Sequence, residues 1–189
     1  MASLVCKEKK VYFLKIVIII SRNIRTFKFN MKNYILLLIA PLLIFCSRHK
    51  HSVDQGDNAP VFSTTDYSGA TLSLESLRGK RILLHFWADW CSECRAEFPK
   101  LESVYQDLKD KNFKIIAVNV GQSQDHVTSF VKEYKLTFPM LVDEQSVIAK
   151  QYGIRGLPTN FFINPDLTVH KMIIGWVDEK QVLQNINEM

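Results

Sequence analysis

The stretch Arg81-Ile-Leu-Leu-His-Phe-Trp-Ala-Asp-Trp-Cys-Ser-Glu-Cys94 decides the fold. Its first part, residues 81–88, is a nearly continuous apolar run of strand length, which is typical of a strand covered on both faces. Beyond the two cysteines, apolar residues recur at helical spacing from 97 to 108. The stretch therefore predicts a buried strand that leads directly into a helix, with Cys91 and Cys94 at the start of that helix.

The position of the two cysteines favours redox chemistry. A thiolate at a helix N-terminus meets unpaired backbone N–H groups and the positive end of the helix dipole, so its pKa falls and it is a better nucleophile at neutral pH. Cys94 lies one turn later, within reach of a mixed disulfide on Cys91. We predict that Cys91 is the nucleophile and Cys94 the resolving cysteine. A zinc site is disfavoured, because zinc usually takes four ligands and the sequence has no second C-x-x-C motif.

The rest of the chain from residue 59 alternates strand-like and helix-like segments. Asn164-Pro-Asp166 has the turn chemistry of a β-hairpin. The predicted strands are 113–120, 140–142, 159–163 and 169–174, and the predicted helices are 126–134, 146–152 and 178–187. This order predicts an α/β domain with a mixed sheet. Trp87 and Trp176 are predicted to be core residues.

The cysteine stretch resembles the active-site segment of the thioredoxin superfamily. The resemblance is carried by residues 86–94 and by Pro99, while Gly156-Leu-Pro-Thr159 resembles the cis-proline loop of that superfamily. It implies a thioredoxin-like fold, in which a central mixed β-sheet is flanked by helices and preceded by an N-terminal β extension. It also implies a cis peptide bond before Pro158. The residues expected to contact the substrate are Trp90, Leu157, Pro158 and Thr159.

Other parts of the chain resemble the membrane-anchored TlpA/ResA type of this superfamily. The similar segments are 57–62, 67–69, 74–79, 94–99, 118–120 and 162–165. Proteins of that type reduce disulfides outside the cytoplasm, several of them during cytochrome c maturation. The resemblance implies an extracytoplasmic thiol-disulfide oxidoreductase that reduces protein disulfides, with apocytochrome c as a candidate substrate and a membrane-linked thiol as electron donor. We expect no metal, no cofactor beyond the Cys91–Cys94 disulfide, and a monomer.

Two ionisable residues near the cysteines carry further predictions. Glu97 falls one turn after Cys94 and matches an acidic residue of the ResA-like group, which implies a role in thiol ionisation and proton relay; the alternative is a solvated helix carboxylate. His85 occupies a strand position where thioredoxins place a buried acid, and it is either a second proton relay or a hydrogen-bonded core residue. Ser92-Glu93 places a carboxylate beside the thiols, which favours a reductant because a very stable thiolate makes a dithiol pair oxidising.

Two other functions remain open from the sequence. A thiol peroxidase would share the fold, but the P-x-x-x-T-x-x-C segment of peroxiredoxins is missing, since Ala88 stands three residues before Cys91. A copper-binding module similar to the SCO proteins would use two cysteines and a distant histidine, for which His170 is a loose candidate. The cysteines of those proteins are separated by three residues rather than two.

The N-terminal quarter carries the positive charge of the chain. The 189 residues have a formal net charge of +5, but residues 1–46 contain eight Lys or Arg and one acid, whereas residues 47–189 contain 16 basic and 18 acidic residues. A nucleic-acid partner is therefore not supported. The apolar run 34–46 resembles a secretory signal or membrane anchor that begins at Met31. Its end, Leu43-Ile-Phe-Cys46, resembles a lipobox and implies lipidation of Cys46, although Phe45 departs from that pattern.

These patterns divide the chain into three predicted parts. Residues 1–46 form an extension plus a signal peptide or membrane anchor, residues 47–58 a polar linker, and residues 59–189 the thioredoxin-like domain. The expected location is the extracytoplasmic, periplasmic side of the cell envelope, with the membrane contacted through the N-terminal segment. Translation is expected to start at Met1 or Met31.

Overall fold

The computed structural model describes residues 52–189, so the predicted anchor at 1–46 and its Cys46 lie outside the described residues. The elements in chain order are β1 (Ser63–Thr65), β2 (Thr71–Ser73), a 3-10 turn (Glu75–Leu77), β3 (Arg81–Trp87), α1 (Ser92–Leu108), β4 (Phe113–Val120), α2 (Gln124–Tyr134), β5 (Met140–Asp143), α3 (Val147–Tyr152), β6 (Thr159–Ile163), β7 (Val169–Ile174) and α4 (Glu179–Glu188). Every predicted strand and helix is present. Within residues 52–189, no helix is both long and apolar enough to cross a membrane.

Strand β3 lies at the centre of a five-stranded sheet in the described part of the chain. The strand order is β5-β4-β3-β6-β7. β3 pairs in parallel with β4, to which α1 connects it, and antiparallel with β6. Residues Ile82 to Trp87 are fully buried, because other elements cover both faces of the sheet. The predicted α/β fold with a mixed sheet and a strand buried on both faces is confirmed.

The sheet has two faces that are covered by different elements. Side chains alternate along a strand, so Leu83 of β3 points to one face, against α1, α2 and α4. Leu84 points to the other face, which α3 and the N-terminal part of the domain cover. We call the first the cysteine face, because Cys91 and Cys94 pack in its cluster, and the second the opposite face.

The N-terminal part of the domain begins before the predicted boundary at residue 59. β1 and β2 pair antiparallel and form the predicted β extension. Val53 is buried on the opposite face, Gly56 N donates to a carbonyl of β7 at 2.8 Å, and Asn58 forms a β-bridge with Thr168. Residues 53–58 of the predicted linker therefore pack against the domain. Their polar sequence does not reveal this, because backbone groups make the bonds.

Candidate active site

The two cysteines lie at the start of α1, where the sequence predicts them. Cys91 is the N-cap residue in an extended conformation (φ −83°, ψ 104°), and Cys94 N donates to Cys91 Sγ at 3.1 Å. The two sulfurs form a disulfide. In the reduced state this N–H group and the helix N-terminus stabilise a thiolate on Cys91. Cys91 is 7% exposed and Cys94 fully buried, so Cys91 is the more accessible cysteine of the pair.

The loop before β6 reaches the same end of the sheet as the cysteine pair. In the β3–β6 pairing Phe86 stands opposite Thr159, so Pro158 lies beside the end of β3 that leads to the cysteines. The Leu157–Pro158 peptide bond is cis, and Thr159 Oγ1 donates to Gly156 O at 2.7 Å. The side chains of Pro158 and Thr159 are buried and that of Leu157 is half-buried. The structure thus brings the predicted loop to the end of the sheet where the cysteines lie, with Leu157 more exposed than Pro158 and Thr159.

Three large apolar side chains are exposed at this end of the domain. Trp90, which precedes Cys91, is 71% exposed, and Ile174, opposite Thr159 in the β6–β7 pairing, is 64% exposed. Trp176 is 51% exposed, so its prediction as a core residue is wrong. Residues 52–189 contain five exposed large apolar side chains, and three of them surround the site. A cluster of exposed apolar side chains is typical of interaction surfaces in general.

The carboxyl group of Glu97 is buried, and its two oxygens differ in their hydrogen bonding. It is 1% exposed, so it is not the solvated carboxylate of the alternative prediction. Val177 N donates to Oε1 at 2.9 Å, and Asn160 Nδ2 donates to the same oxygen at 3.5 Å. Oε2 has no hydrogen-bond partner among the described residues. Burial raises the pKa of Glu97 to about 7, against the opposing effect of the two donors, so this group can exchange a proton near neutral pH.

His85 forms a buried pair with Asn160 in the middle of the cysteine face. The two residues stand opposite each other in the β3–β6 pairing, both are fully buried, and His85 Nδ1 lies 2.8 Å from Asn160 Oδ1. Burial lowers the pKa of His85 to about 4, although the hydrogen bond to Asn160 raises it. The imidazole is therefore neutral at neutral pH. It donates from Nδ1, because the amide oxygen of Asn160 only accepts.

Asn160 is the site residue that sequence-based reasoning missed. It connects His85 and Glu97, which lie 75 and 63 residues away along the chain. Its Nδ2 also donates to Gly175 O at 2.9 Å. A signal was present, because Asn160 interrupts the apolar pattern of a strand predicted to be buried, and a buried amide requires hydrogen-bond partners. The identity of those partners could not be read from the sequence.

A cavity of about 230 Å3 lies next to the first turns of α1, and Glu97 is one of its lining residues. Its lining residues are Glu93, Ala96, Glu97, Lys100 and Trp176. Lys100 Nζ lies 5.2 Å from the centre of the Trp176 ring, within the range of a cation–π interaction. The cavity therefore brings open space, two carboxyl groups and one ammonium group together next to the start of α1.

The turn between β3 and α1 is supported by a side chain from the end of β4. Asp89 N donates to Gln122 Oε1 at 2.8 Å, and Asn119 Nδ2 donates to the same oxygen at 2.9 Å. Gln122 Nε2 donates back to Asp89 Oδ1. These bonds hold the backbone that leads into Trp90 and Cys91.

His170, the candidate copper ligand, does not approach the cysteines. It follows Val169, which pairs with Ile163 at the end of β6 that points away from the cis-proline loop. His170 Nε2 lies 3.6 Å from Glu188 Oε2. Within residues 52–189, no group of three or more His, Cys, Asp or Glu side chains is arranged to hold a metal ion. The structure does not bring together the ligands that the copper hypothesis needs.

Comparisons with known proteins agree with this geometry. A sequence model of the AhpC/TSA family matches residues 55–172. Thiol-disulfide oxidoreductase ResA of Bacillus subtilis (strain 168) is 36% identical over 138 residues, which cover 73% of this chain and 77% of that protein. The chain belongs to the ResA-like thiol-disulfide oxidoreductases of the thioredoxin superfamily. The enzyme class and the resemblance predicted from the cysteine stretch are confirmed.

Solved structures place the ResA-like domain in the same fold. StoA from Bacillus subtilis is 32% identical with a TM-score of 0.60, and the match covers 67% of this chain and 96% of StoA. A thiol:disulfide interchange protein of the thioredoxin family from Chlorobium tepidum is 26% identical with a TM-score of 0.65, covering 71% and 96%. The predicted thioredoxin-like fold is therefore confirmed. Membership of this family implies disulfide-containing substrates and thiol electron donors.

Proposed function

We propose that this ResA-like enzyme reduces protein disulfides on the extracytoplasmic side of the cell envelope. The observation that carries the proposal is the grouping of Cys91, Cys94 and Glu97 on the first two turns of α1, with the carboxyl pKa raised to about 7 by burial. A strong oxidant needs a very stable thiolate. A negative charge on Glu97 disfavours the formation of a second negative charge on the nearby thiols. This environment favours a reductant.

The first chemical step is attack by the Cys91 thiolate on one sulfur of the substrate disulfide. The substrate S–S bond breaks as the bond between Cys91 and the substrate forms, and the departing substrate thiolate takes up a proton. The Cys94 thiol then gives its proton to the Glu97 carboxylate, and the Cys94 thiolate attacks Cys91 Sγ. The second substrate thiolate leaves and is protonated. The substrate has gained two electrons and two protons, and the cysteine pair is a disulfide.

The same exchange in reverse regenerates the dithiol form. A membrane-linked thiol donor attacks the Cys91–Cys94 disulfide and is itself oxidised. All electrons pass between sulfur atoms, so we propose that the enzyme uses no bound cofactor or metal. Turnover with a dithiol donor is expected to be unchanged after treatment with a metal chelator, and a large loss of turnover would contradict this part of the proposal.

The substrate is proposed to lie across the exposed apolar surface around the cysteine pair. The cis-proline loop supplies its backbone at Pro158 and Thr159 and the half-buried side chain of Leu157. Trp90 supplies an exposed indole next to the nucleophile. Trp176, which the sequence did not indicate for this role, extends the surface on the side of the cavity. A protein segment near the reacting disulfide would cover these groups on binding.

The envelope location rests on the pattern of residues 31–46. We propose that this segment directs export and that the membrane is contacted either through a lipidated Cys46 or through an uncleaved apolar run. Cys46→Ala is expected to move the protein from the membrane fraction to the soluble envelope fraction if lipidation is the anchor. Retention of the variant in the membrane would favour the apolar run instead. We further propose that the domain acts as a monomer, which sedimentation of residues 52–189 would test.

Mixed-disulfide trapping tests the central proposal. A Cys94→Ser variant should accumulate covalent complexes with its substrates through Cys91, because the resolving thiol is missing. The complexes should disappear with a reducing agent and be missing in the Cys91→Ser, Cys94→Ser double variant, which is the matched control. Apocytochrome c among the captured proteins would identify the candidate substrate. A Cys91→Ser variant that keeps full disulfide reductase activity would contradict the proposed mechanism.

A further inference from the structure

Asn160 stands between two buried titratable side chains and has both ends of its amide engaged. An asparagine side chain offers one acceptor oxygen and one amino group with two N–H donors. Oδ1 accepts from His85 Nδ1 at 2.8 Å. Nδ2 donates to Gly175 O at 2.9 Å and to Glu97 Oε1 at 3.5 Å. Asn160 and His85 are fully buried and Glu97 is 1% exposed, so these groups depend on one another for hydrogen bonds.

The Asn160 amide is held in one orientation from both ends, because the backbone acceptor Gly175 O requires its amino group and His85 Nδ1 then meets its oxygen. A neutral imidazole that donates from Nδ1 requires an acceptor opposite it. If the amide were flipped, its N–H groups would face the Nδ1–H donor, and its oxygen would face the acceptor oxygens of Gly175 and Glu97. Leaving several buried polar groups unpaired in this way is costly. Gly175 O and the donor of His85 together hold the amino group of Asn160 towards Glu97.

The oriented amide makes the two carboxyl oxygens of Glu97 unequal. The Asn160 amino group and the Val177 N–H both donate to Oε1, and donors of this kind favour negative charge on the oxygen that they contact. Oε2 has no hydrogen-bond partner among residues 52–189. A proton on the carboxyl group is therefore best carried by Oε2. Glu97 is also one of the residues that line the cavity beside the start of α1.

We propose that Asn160 is a positioning residue for Glu97: its amide, oriented by His85, holds Oε1 and leaves Oε2 as the oxygen that receives the proton of Cys94. His85 acts here as an orienting donor and not as a proton relay. The inference rests on the proposed role of Glu97 in the reaction. The other titratable groups that face Glu97 are Glu93, Cys94 and Lys100 on α1, while the segment before α4 contributes the Val177 N–H.

The titration of the Glu97 carboxyl carbon, followed by NMR in the disulfide form, tests the positioning without relying on activity. Asn160→Leu removes a donor to the ionised carboxylate, so the pKa of Glu97 is expected to rise by about one unit. Asn185→Leu is the matched control, because Asn185 is also a buried asparagine but donates to Gln181 O on α4. The control should leave the titration of Glu97 unchanged.

Two substitutions of His85 separate orientation from proton relay. Glutamine can donate an N–H to Asn160 Oδ1 but cannot titrate, whereas leucine can do neither. His85→Gln is expected to keep the wild-type titration of Glu97 and the wild-type pH profile of kcat/KM. His85→Leu should shift both in the direction of Asn160→Leu. Equal shifts of the Glu97 titration and of the pH profile in the two variants would overturn the orienting role of His85.

The remaining outcomes separate this inference from the proposed function. A Glu97 titration within about 0.3 units of wild type in Asn160→Leu would overturn the positioning role. If that variant does not fold, the isosteric Asn160→Asp serves instead. Its new carboxyl group and Glu97 are expected to titrate as a coupled pair, with an upper pKa above that of wild-type Glu97. An unchanged titration would again overturn the positioning role. An unchanged pH profile of kcat/KM in Glu97→Gln would instead contradict the role of Glu97 in the reaction. When Asn160→Leu is combined with Glu97→Gln, it should cause no further shift of the pH profile of kcat/KM.

Discussion

The two faces of the sheet come from the same strands, yet they bury different groups at their centres. On the opposite face, the strand centres carry apolar side chains such as Leu84, Ile116 and Phe161. On the cysteine face, His85 and Asn160 occupy central positions between apolar neighbours. Buried polar groups reduce apolar burial and must find hydrogen-bond partners. The difference shows that the cysteine face combines packing with the support of a titratable carboxyl group near the redox pair.

The largest expected effect concerns Cys91, the proposed nucleophile of the cysteine face. Cys91→Ser should lower kcat/KM for disulfide reduction by about 10^3-fold or more, because no thiolate remains to attack the substrate. As a control for folding, the free energy of unfolding of Cys91→Ser should be compared with that of the reduced wild type, since both lack the disulfide. A steady-state assay with a dithiol donor measures the loss. A decrease of less than ten-fold would mean that another group attacks the substrate.

Alanine variants of two adjacent isoleucines of β4 allow the packing of the two faces to be compared. Ile115 points to the cysteine face and Ile116 to the opposite face, and both are fully buried. Truncation to alanine should lower the free energy of unfolding by about 2–5 kcal/mol in each case, because each leaves a cavity in a packed cluster. Urea denaturation measures both values. A cost below about 1 kcal/mol for Ile115→Ala alone would show that the polar residues have loosened the cysteine face.

The buried polar groups of the cysteine face should give opposing dependences of stability on pH. Glu97 has its pKa raised by burial from 4.5 to about 7, so it contributes stability below pH 4.5 that is lost as the pH rises to about 7. His85 has its pKa lowered by burial from 6.5 to about 4, so it contributes stability above pH 6.5 that is lost as the pH falls to about 4. Each change amounts to about 3 kcal/mol. Between these limits the two contributions largely cancel.

Single substitutions should expose each half of this cancellation. Glu97→Gln leaves His85, so its stability relative to wild type should rise by about 3 kcal/mol as the pH increases from 4 to 8. His85→Gln leaves Glu97, so its stability relative to wild type should fall by a similar amount as the pH increases from 4 to 7. Urea denaturation across this pH range measures both curves. Parallel curves for both variants and wild type would contradict the assignment of the two pKa shifts.

The smallest expected effect concerns the exposed surface around the cysteine pair. Trp176→Ala should raise KM for a protein disulfide by about three- to ten-fold, because apolar contact area with the substrate is lost. The rate with a small-molecule disulfide should stay within about two-fold of wild type. Val147→Ala, at a similarly exposed position on α3, is the matched control. It should change neither KM for the protein disulfide nor the rate with the small-molecule disulfide. An equal loss for both substrates would show that Trp176 acts on the cysteines and not on binding.

Most of the fold was predictable, because its signals are local. The unbroken apolar run of β3 and the turn residues Asn164-Pro-Asp166 report the burial and ends of neighbouring elements, and β4, β6 and β7 have their predicted bounds. The packing of residues 53–58 against the domain was not predictable, since it depends on backbone bonds to β7. The hydropathy of the side chains does not indicate such bonds, because they are made by backbone groups. The exposed position of Trp176 was missed for a related reason, because hydropathy assigns a tryptophan to the core.

The candidate site divides in the same way. Cys91 and Cys94 follow from their spacing at the start of a helix, and the sequence also places Glu97 on the next turn of that helix. Asn160 belongs to the site only because β6 pairs antiparallel with β3 in one register. A shift of that register by one residue would turn Asn160 to the opposite face. The strand sequence does not specify this partner.

The sequence by itself determined the order of strand, cysteine pair and helix, and with it the class of reaction and the proposed nucleophile. These features depend on hydrophobic periodicity and on the dipole and unpaired N–H groups of one helix, which are properties of a short segment. Only the tertiary structure decided how the carboxyl group of Glu97 is held and which tryptophans are exposed beside the cysteine pair. Burial and hydrogen bonding arise between segments more than 60 residues apart, as the contact of Asn160 with Glu97 across 63 residues shows, and those conditions set the protonation of a buried group.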